Sequence, residues 1–160
     1  MQYYKDRYEA KQLTTWLEIG EEGYCLRAVH QETGNLYATN VIRPDYAYGL
    51  PEGSYLEFLD KLSPISETEF QSTWKSANAE LAKDLPYIQS AYPAGKKVTA
   101  TLRCFYPLGV MLDCDASFQA IAEYDRCVAA FGQKNMYPNQ TFEFTVTGID
   151  DQNLWIRLTP

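Results

Sequence analysis

Arginines and aromatic residues recur together in the second half of the chain: Arg103, Phe105, Tyr106, Tyr124, Arg126, Trp155 and Arg157. A flat ring beside a guanidinium can stack a base and hold the neighbouring phosphate, which is the chemistry of single-strand binding. Tyrosine and tryptophan also serve to dock one protein surface on another. Both readings stand at this level. Other chemistry is sparse. The one histidine, His30, follows a strand-like run and precedes Glu32-Thr33-Gly34. Cys25 is five residues away, a spacing that places the two side chains on opposite faces of a strand. Cys25, Cys104, Cys114 and Cys127 include no pair at zinc-knuckle spacing, and three of them lie in apolar runs, as buried thiols do. Glu21-Glu22 and Asp150-Asp151 sit at turns, where carboxylates are solvated. There is no glycine-rich phosphate loop, no paired-histidine motif and no Gly-x-Ser-x-Gly elbow. The chain reads as a non-catalytic binding protein without cofactor or metal.

Composition narrows the classes of partner. The 160 residues carry 21 acidic and 14 basic side chains, a net charge of -7, with 46% apolar residues and thirteen tyrosines. So apolar a chain can bury enough surface to offset the entropy of ordering. No run approaches the roughly 20 apolar residues of a membrane span. The opening MQYYKDRYEAKQ has charge where a secretory signal is apolar, so a cytoplasmic protein is expected. A general duplex-DNA binder would need a strong positive field, which the acidity denies it. The charge is uneven: residues 1–93 hold eight Lys/Arg against fourteen Asp/Glu, a net of -6, and residues 94–160 hold six against seven, a net of -1. Leu85-Pro86 to Pro93-Ala94-Gly95 interrupts regular structure and marks a boundary. Two domains are expected, a small acidic α+β domain over 1–90 and an all-β barrel over 94–160.

In the first domain the pattern predicts a three-stranded antiparallel sheet and two helices. The strands are 14–19, 24–29 and 36–42, with Glu32-Thr33-Gly34-Asn35 as the hairpin turn. One short helix is expected at 55–59. The other starts at Ser66-Glu67-Thr68-Glu69, a capping box, and carries Phe70, Trp74, Ala77 and Leu81 on one stripe packed against the sheet. In the second half, Val98, Ala100, Leu102 and Cys104 alternate with Thr99, Thr101, Arg103 and Phe105. Further strands follow at 110–114, 118–124, 141–148 and 154–158, with a loop over 125–139. Five short strands without a strong helical pattern favour a small closed barrel.

The order of these pieces resembles the ribosomal S-one type of RNA-binding domain. The resemblance is carried by Gly95-Lys96-Lys97-Val98, by Leu108-Gly109-Val110-Met111-Leu112, and most by the closing segment: Tyr137 to Val146, Gly148-Ile149-Asp150 and Asn153-Leu154-Trp155-Ile156-Arg157-Leu158. It covers about 66 of 160 residues. It implies an OB-fold barrel and contact with single-stranded RNA through the outer face of strands two and three. Carried over by position, the aromatic places of that family are Leu108 and Met111, and its histidine place is close to Ala122. The usual stacking platform is thus missing or relocated. Phe105, Tyr106, Tyr124 and an outward Trp155 could replace it, with Arg103, Arg126 and Arg157 at outward or strand-end positions, and the expected contact residues are Arg103, Phe105, Tyr106, Met111, Tyr124 and Arg126.

Two functions follow. In one, the barrel contacts single-stranded RNA and the acidic domain contacts protein. In the other, the acidic half engages a basic protein partner as a regulatory or immunity-type module, and the barrel is only a scaffold.

Overall fold

The computed structural model describes residues 1–160, which divide into two compact units, Met1–Ala79 and Glu80–Pro160. The segment 80–93, placed by the sequence before the barrel domain, therefore belongs to the barrel unit.

The first unit is built on a five-stranded antiparallel sheet, two strands more than the pattern predicted. Strands β1 (Gln2–Tyr8), β2 (Leu13–Ile19), β3 (Cys25–Glu32), β4 (Asn35–Ala38) and β5 (Ser63–Pro64) lie in the order β4-β3-β2-β1-β5. The tyrosine-rich N-terminus shows no strand pattern in sequence because its partly buried tyrosines pack on opposite sides. Tyr3 packs on Phe70, while Tyr4 joins Leu17, Ile19 and Ala28 on the other side. No single apolar face marks it as a strand. Glu32 and Asn35 pair across the hairpin as expected, and Thr33 and Gly34 both adopt positive φ, 49° and 88°. That is the backbone a two-residue turn needs to match strand twist. The third expected strand stops at Ala38, and no helix forms at 55–59. Successive i→i+3 bonds from Phe58 and Lys61 instead lead through turns into a 3-10 turn at Leu59–Lys61.

Helix α1 (Glu67–Ala77) begins where the capping box places it, with Ser66 Oγ accepting from the Glu69 N–H at 3.1 Å. Phe70 and Trp74 bury against Trp16 of β2 and Val29 of β3. The expected stripe is shorter than four residues: the helix ends at Ala77, and Leu81 lies in the other unit. Beneath α1 a buried ion pair joins Arg27 to Glu18, with Arg27 Nη2 donating to Oε1 at 3.1 Å and Tyr3 adding a hydroxyl at 3.2 Å. The Arg27 guanidinium lies 5.2 Å from the Phe70 ring centre and 5.0 Å from that of Trp74. Its charge is met by both the carboxylate and the ring faces.

On the opposite face, buried His30 is held between Thr15 Oγ1 (3.1 Å from Nδ1) and the Gly49 carbonyl (3.2 Å from Nε2). That carbonyl only accepts, so Nε2 carries the proton and the neutral ring takes the threonine hydroxyl at Nδ1. Burial holds the imidazole below its ordinary value, against the opposing effect of the Gly49 carbonyl.

In the second unit helix α2 (Leu85–Ala91) buries Ile88 in the same core as the barrel strands. The strands are β6 (Lys97–Tyr106), β7 (Gly109–Asp113), β8 (Ala120–Ala122), β9 (Thr141–Asp150) and β10 (Trp155–Thr159). They close in the order β10-β8-β7-β6-β9, all antiparallel except β8 with β10. Leu102, Leu112, Ala120, Phe144, Val146 and Ile156 fill the interior. Helix α3 (Tyr124–Phe131) occupies part of the expected loop. Only Cys127 of its eight residues is buried, and Phe131 stacks on Phe142 at 4.2 Å. Two inward side chains leave too little periodicity to read in advance. No helix of the chain is long and apolar enough to cross a membrane.

Two stability measurements test this account. Glu18→Ala strands the Arg27 charge in the core and is expected to lower unfolding free energy by about 3–5 kcal/mol in urea titrations. The paired replacement Glu18→Leu with Arg27→Met should recover most of that loss. For His30, the unfolded chain takes up the proton first. Its contribution is therefore complete above about pH 6.5 and lost as pH falls towards the lower folded value. The urea midpoint of the wild type should drop from about pH 7.5 to 5 more than that of His30→Gln, whose neutral side chain cannot titrate.

Candidate nucleic-acid interface

Alternation along β6 is broken at Arg103. Leu102 pairs with Leu112, but Cys104 pairs with Met111, leaving Arg103 as the extra residue of a bulge. Beyond it the inward and outward sides exchange. Phe105 stands opposite Val110, a core residue, and so lies on the inner side of the sheet at the barrel rim. Tyr106, opposite Gly109, lies on the outer side. The next ladder is drawn in tightly there. Gly109 has φ of +147°, and a Cβ on it would sit 2.5 Å from the Ala122 carbonyl. Only glycine allows β7 to start so close to β8.

Over this corner lies an open groove of about 700 Å3. Its walls come from Pro107-Leu108 between β6 and β7, from Ile121 of β8, from the start of α3, and from Asp150 and Asn153 around the turn between β9 and β10. Tyr106, Tyr124 and Trp155 line it. A smaller hollow of about 520 Å3 is bordered by Phe105, Tyr106, Tyr124 and Met136. Phe105 and Tyr124 meet edge to face at 5.7 Å, and each stays more than a third exposed.

The six expected contact residues are therefore distributed unevenly. Tyr106, Tyr124 and Arg126 line the groove, and Phe105 borders the hollow beside it. Met111 has no exposed surface and offers nothing to a ligand, because outward register alone does not keep a side chain accessible. Arg103 sits in the bulge with its Nε buried and lines neither depression. Trp155, expected to be outward, is 2% exposed, although it lines the groove. Ala122, near the histidine place of the resemblance, belongs to the core, while Leu108 is exposed at the lip. Arg157, which is not one of the six, also lines the groove. The parallel pairing of β10 with β8 brings it beside Ile121.

Charge in the groove is nearly balanced. Arg126 Nε is 2.8 Å from Glu123 Oε2, and Arg157 Nη2 is 3.2 Å from Asp150 Oδ2. Asp125 adds a third carboxylate to two guanidiniums. Asp150 also accepts from the Asn153 backbone N–H at 3.0 Å and from its side-chain amide at 3.1 Å. Burial pushes this carboxyl up, but the Asn153 bonds and Arg157 outweigh it and hold the group below its ordinary value. The cysteines take no part in such chemistry. Burial pushes Cys25 up to about 12 and Cys104, Cys114 and Cys127 to about 11, so all stay protonated thiols at neutral pH. No group of three or more His, Cys, Asp and Glu side chains is arranged to hold a metal.

Asp150→Ala should free the β9–β10 turn and lower stability at neutral pH by roughly 1 kcal/mol, the Arg157 part being screened by solvent. The sign with pH follows from the lowered value. The stabilisation is complete above about pH 3.9 and fades as pH falls through the folded value, so the mutant and wild type should converge in acid. Chemical denaturation at both pH values checks it.

No protein-family model matches the chain, and no curated protein matches it in sequence.

Proposed function

We propose that the barrel binds a single-stranded RNA segment in the groove between the β6–β7 and β9–β10 turns. The observation that supports this reading is the position of that groove between the β6–β7 and β9–β10 turns of a closed five-stranded barrel. Renumbered within the barrel, the strands run 1-2-3-5-4 and close on strand 1. Strands 3 and 5 are parallel, and a helix lies between strands 3 and 4. This arrangement supports assignment to the OB-fold. In such barrels the face of strands 2 and 3, with the loops joining 1 to 2 and 4 to 5, takes up oligonucleotides.

The lining suits a particular balance of forces. Tyr106 and Tyr124 offer rings to bases, with Phe105 beside them, each contact contributing about 1–3 kcal/mol. Arg126 is bound to Glu123 by an exposed pair, which contributes about 0–1 kcal/mol, whereas the exposed Arg157 pairs with a largely buried Asp150. A phosphate can therefore replace the Glu123 carboxylate at little cost, while at Arg157 it would add to Asp150, which keeps its two bonds from Asn153. Three acids against two arginines keep the electrostatic attraction small, so stacking supplies most of the affinity. The alternative, with the barrel a scaffold and the acidic unit the working surface, is favoured by one observation: residues 1–79 carry seven basic and twelve acidic side chains, a net of -5.

Fluorescence anisotropy with short labelled RNAs tests the groove. Tyr124→Ala should weaken binding by about five-fold or more, and Arg157→Ala should also weaken it. Arg103→Ala should change little. With two arginines engaged, the log–log slope of affinity against salt should be close to -1.4, about -0.7 per phosphate on a single strand. No binding at about 100 μM protein in low salt would overturn the proposal.

A further inference from the structure

The turn after β2 and the segment leading into β5 are locked side by side. The Tyr55 N–H donates to the Gly23 carbonyl at 2.8 Å, and Ser54 Oγ donates to the Glu22 carbonyl at 3.2 Å. Gly23 has φ of +81°, and a Cβ there would lie 2.5 Å from Leu56 Cγ and 2.5 Å from Ser54 Oγ, so these two side chains pack directly on the glycine backbone. Tyr55 and Leu59 turn inward and pack with Leu17, Ile19 and Cys25. The same arrangement leaves Tyr24, Leu56 and Phe58 outward, 43%, 58% and 48% exposed. A single exposed leucine needs no explanation, but three large apolar side chains on two joined segments form a patch.

The charges of these segments are one-sided. Glu21, Glu22, Glu52, Glu57 and Asp60 are all exposed, and only Lys61 opposes them, its ammonium lying 5.0 Å from the Phe58 ring centre. We infer that this patch, Tyr24, Leu56 and Phe58 within a rim of carboxylates, docks a segment of another protein that is rich in Lys or Arg and carries an apolar anchor. The chemistry chooses among occupants. A second copy of this chain carries a net charge of -7 and would set the same carboxylates against one another. Anionic lipid and nucleic acid meet the same repulsion. A basic segment gains long-range attraction from the rim and area burial from the centre. Because the segments are already pinned by backbone bonds and by Tyr55 and Leu59, little ordering opposes binding.

The probes are short synthetic peptides in three compositions: alternating Arg and Leu, alternating Arg and Ser, and alternating Glu and Leu, each titrated against the full chain. The Arg/Leu peptide is expected to bind, with backbone amide shifts in the wild type clustered on residues 20–24 and 52–60. Leu56→Ser with Phe58→Ser should weaken it by about tenfold or more. Glu21→Lys, Glu22→Lys and Glu57→Lys together should abolish it, whereas Glu9→Lys, in the turn after β1, should leave it unchanged. All these side chains are exposed, and far-UV circular dichroism of each variant confirms that the fold is intact. Equal binding of the Arg/Ser peptide would reduce the patch to an unspecific charge effect and overturn the proposal. So would shifts centred on the barrel groove, or binding of the Glu/Leu peptide. Sedimentation showing self-association that Leu56→Ser removes would make a second copy the occupant and would also overturn it.

Discussion

Strand β6 belongs to two ladders at once: Lys97 to Thr101 pair with β9, and Thr101 to Tyr106, apart from Arg103, pair with β7. A flat strand cannot serve both partners around so small a barrel, and the bulge at Arg103 supplies the bend. Much of the second unit depends on this bend. It turns Tyr106 outward at the end of the strand, and Gly109 then brings β7 against the Ala122 carbonyl. The parallel β8–β10 pairing completes the circle and sets Arg157 at the edge of the same groove. The candidate interface is thus a by-product of closure: its walls are the two turns and the helix start that closure gathers at one corner.

The ion pairs of the two units illustrate opposite uses of charge. Glu18 and Arg27 are almost fully buried, and the arginine is held against Phe70 and Trp74, so the pair has one arrangement and changing it is costly. Arg126 and Arg157 keep well over half of their side-chain surface in water. Of their carboxylate partners Glu123 is exposed as well, whereas Asp150 is largely buried. A buried pair specifies packing; an exposed one leaves a charged group ready for a ligand. The acidic rim around Tyr24, Leu56 and Phe58 is a third case, in which the carboxylates are held by no partner in the fold and contribute a field instead of a bond.

Much of the local structure was legible where a single physical signal was strong. The capping box at Ser66, the two-residue turn at Thr33-Gly34 and the clean alternation of Phe142, Phe144 and Val146 each name their element without help from the rest of the chain. Elements whose stability comes from outside were not legible. Strand β1 has a tyrosine for each of two cores, β5 is two residues long, and α3 has little more than Cys127 and Phe131 to place it. The site fared likewise. Aromatic and arginine residues were recognised as the relevant types, but their assignment to one face assumed unbroken alternation, which the bulge at Arg103 reverses.

What the sequence determined by itself was composition and period: an acidic first half, a barrel-forming second half, and the residue types that could contact a single strand. Those features are local, set by neighbours within a turn or two of chain. What only the tertiary structure decided was accessibility. Met111 and Trp155 are closed off and Arg103 is drawn into the bulge, while Tyr124 and Arg126 of α3 and Arg157 of β10 converge on one groove. The physical reason is that exposure depends on which distant segment covers a side chain, and ladder register depends on closure of the whole sheet. Neither is written in the spacing of any one strand.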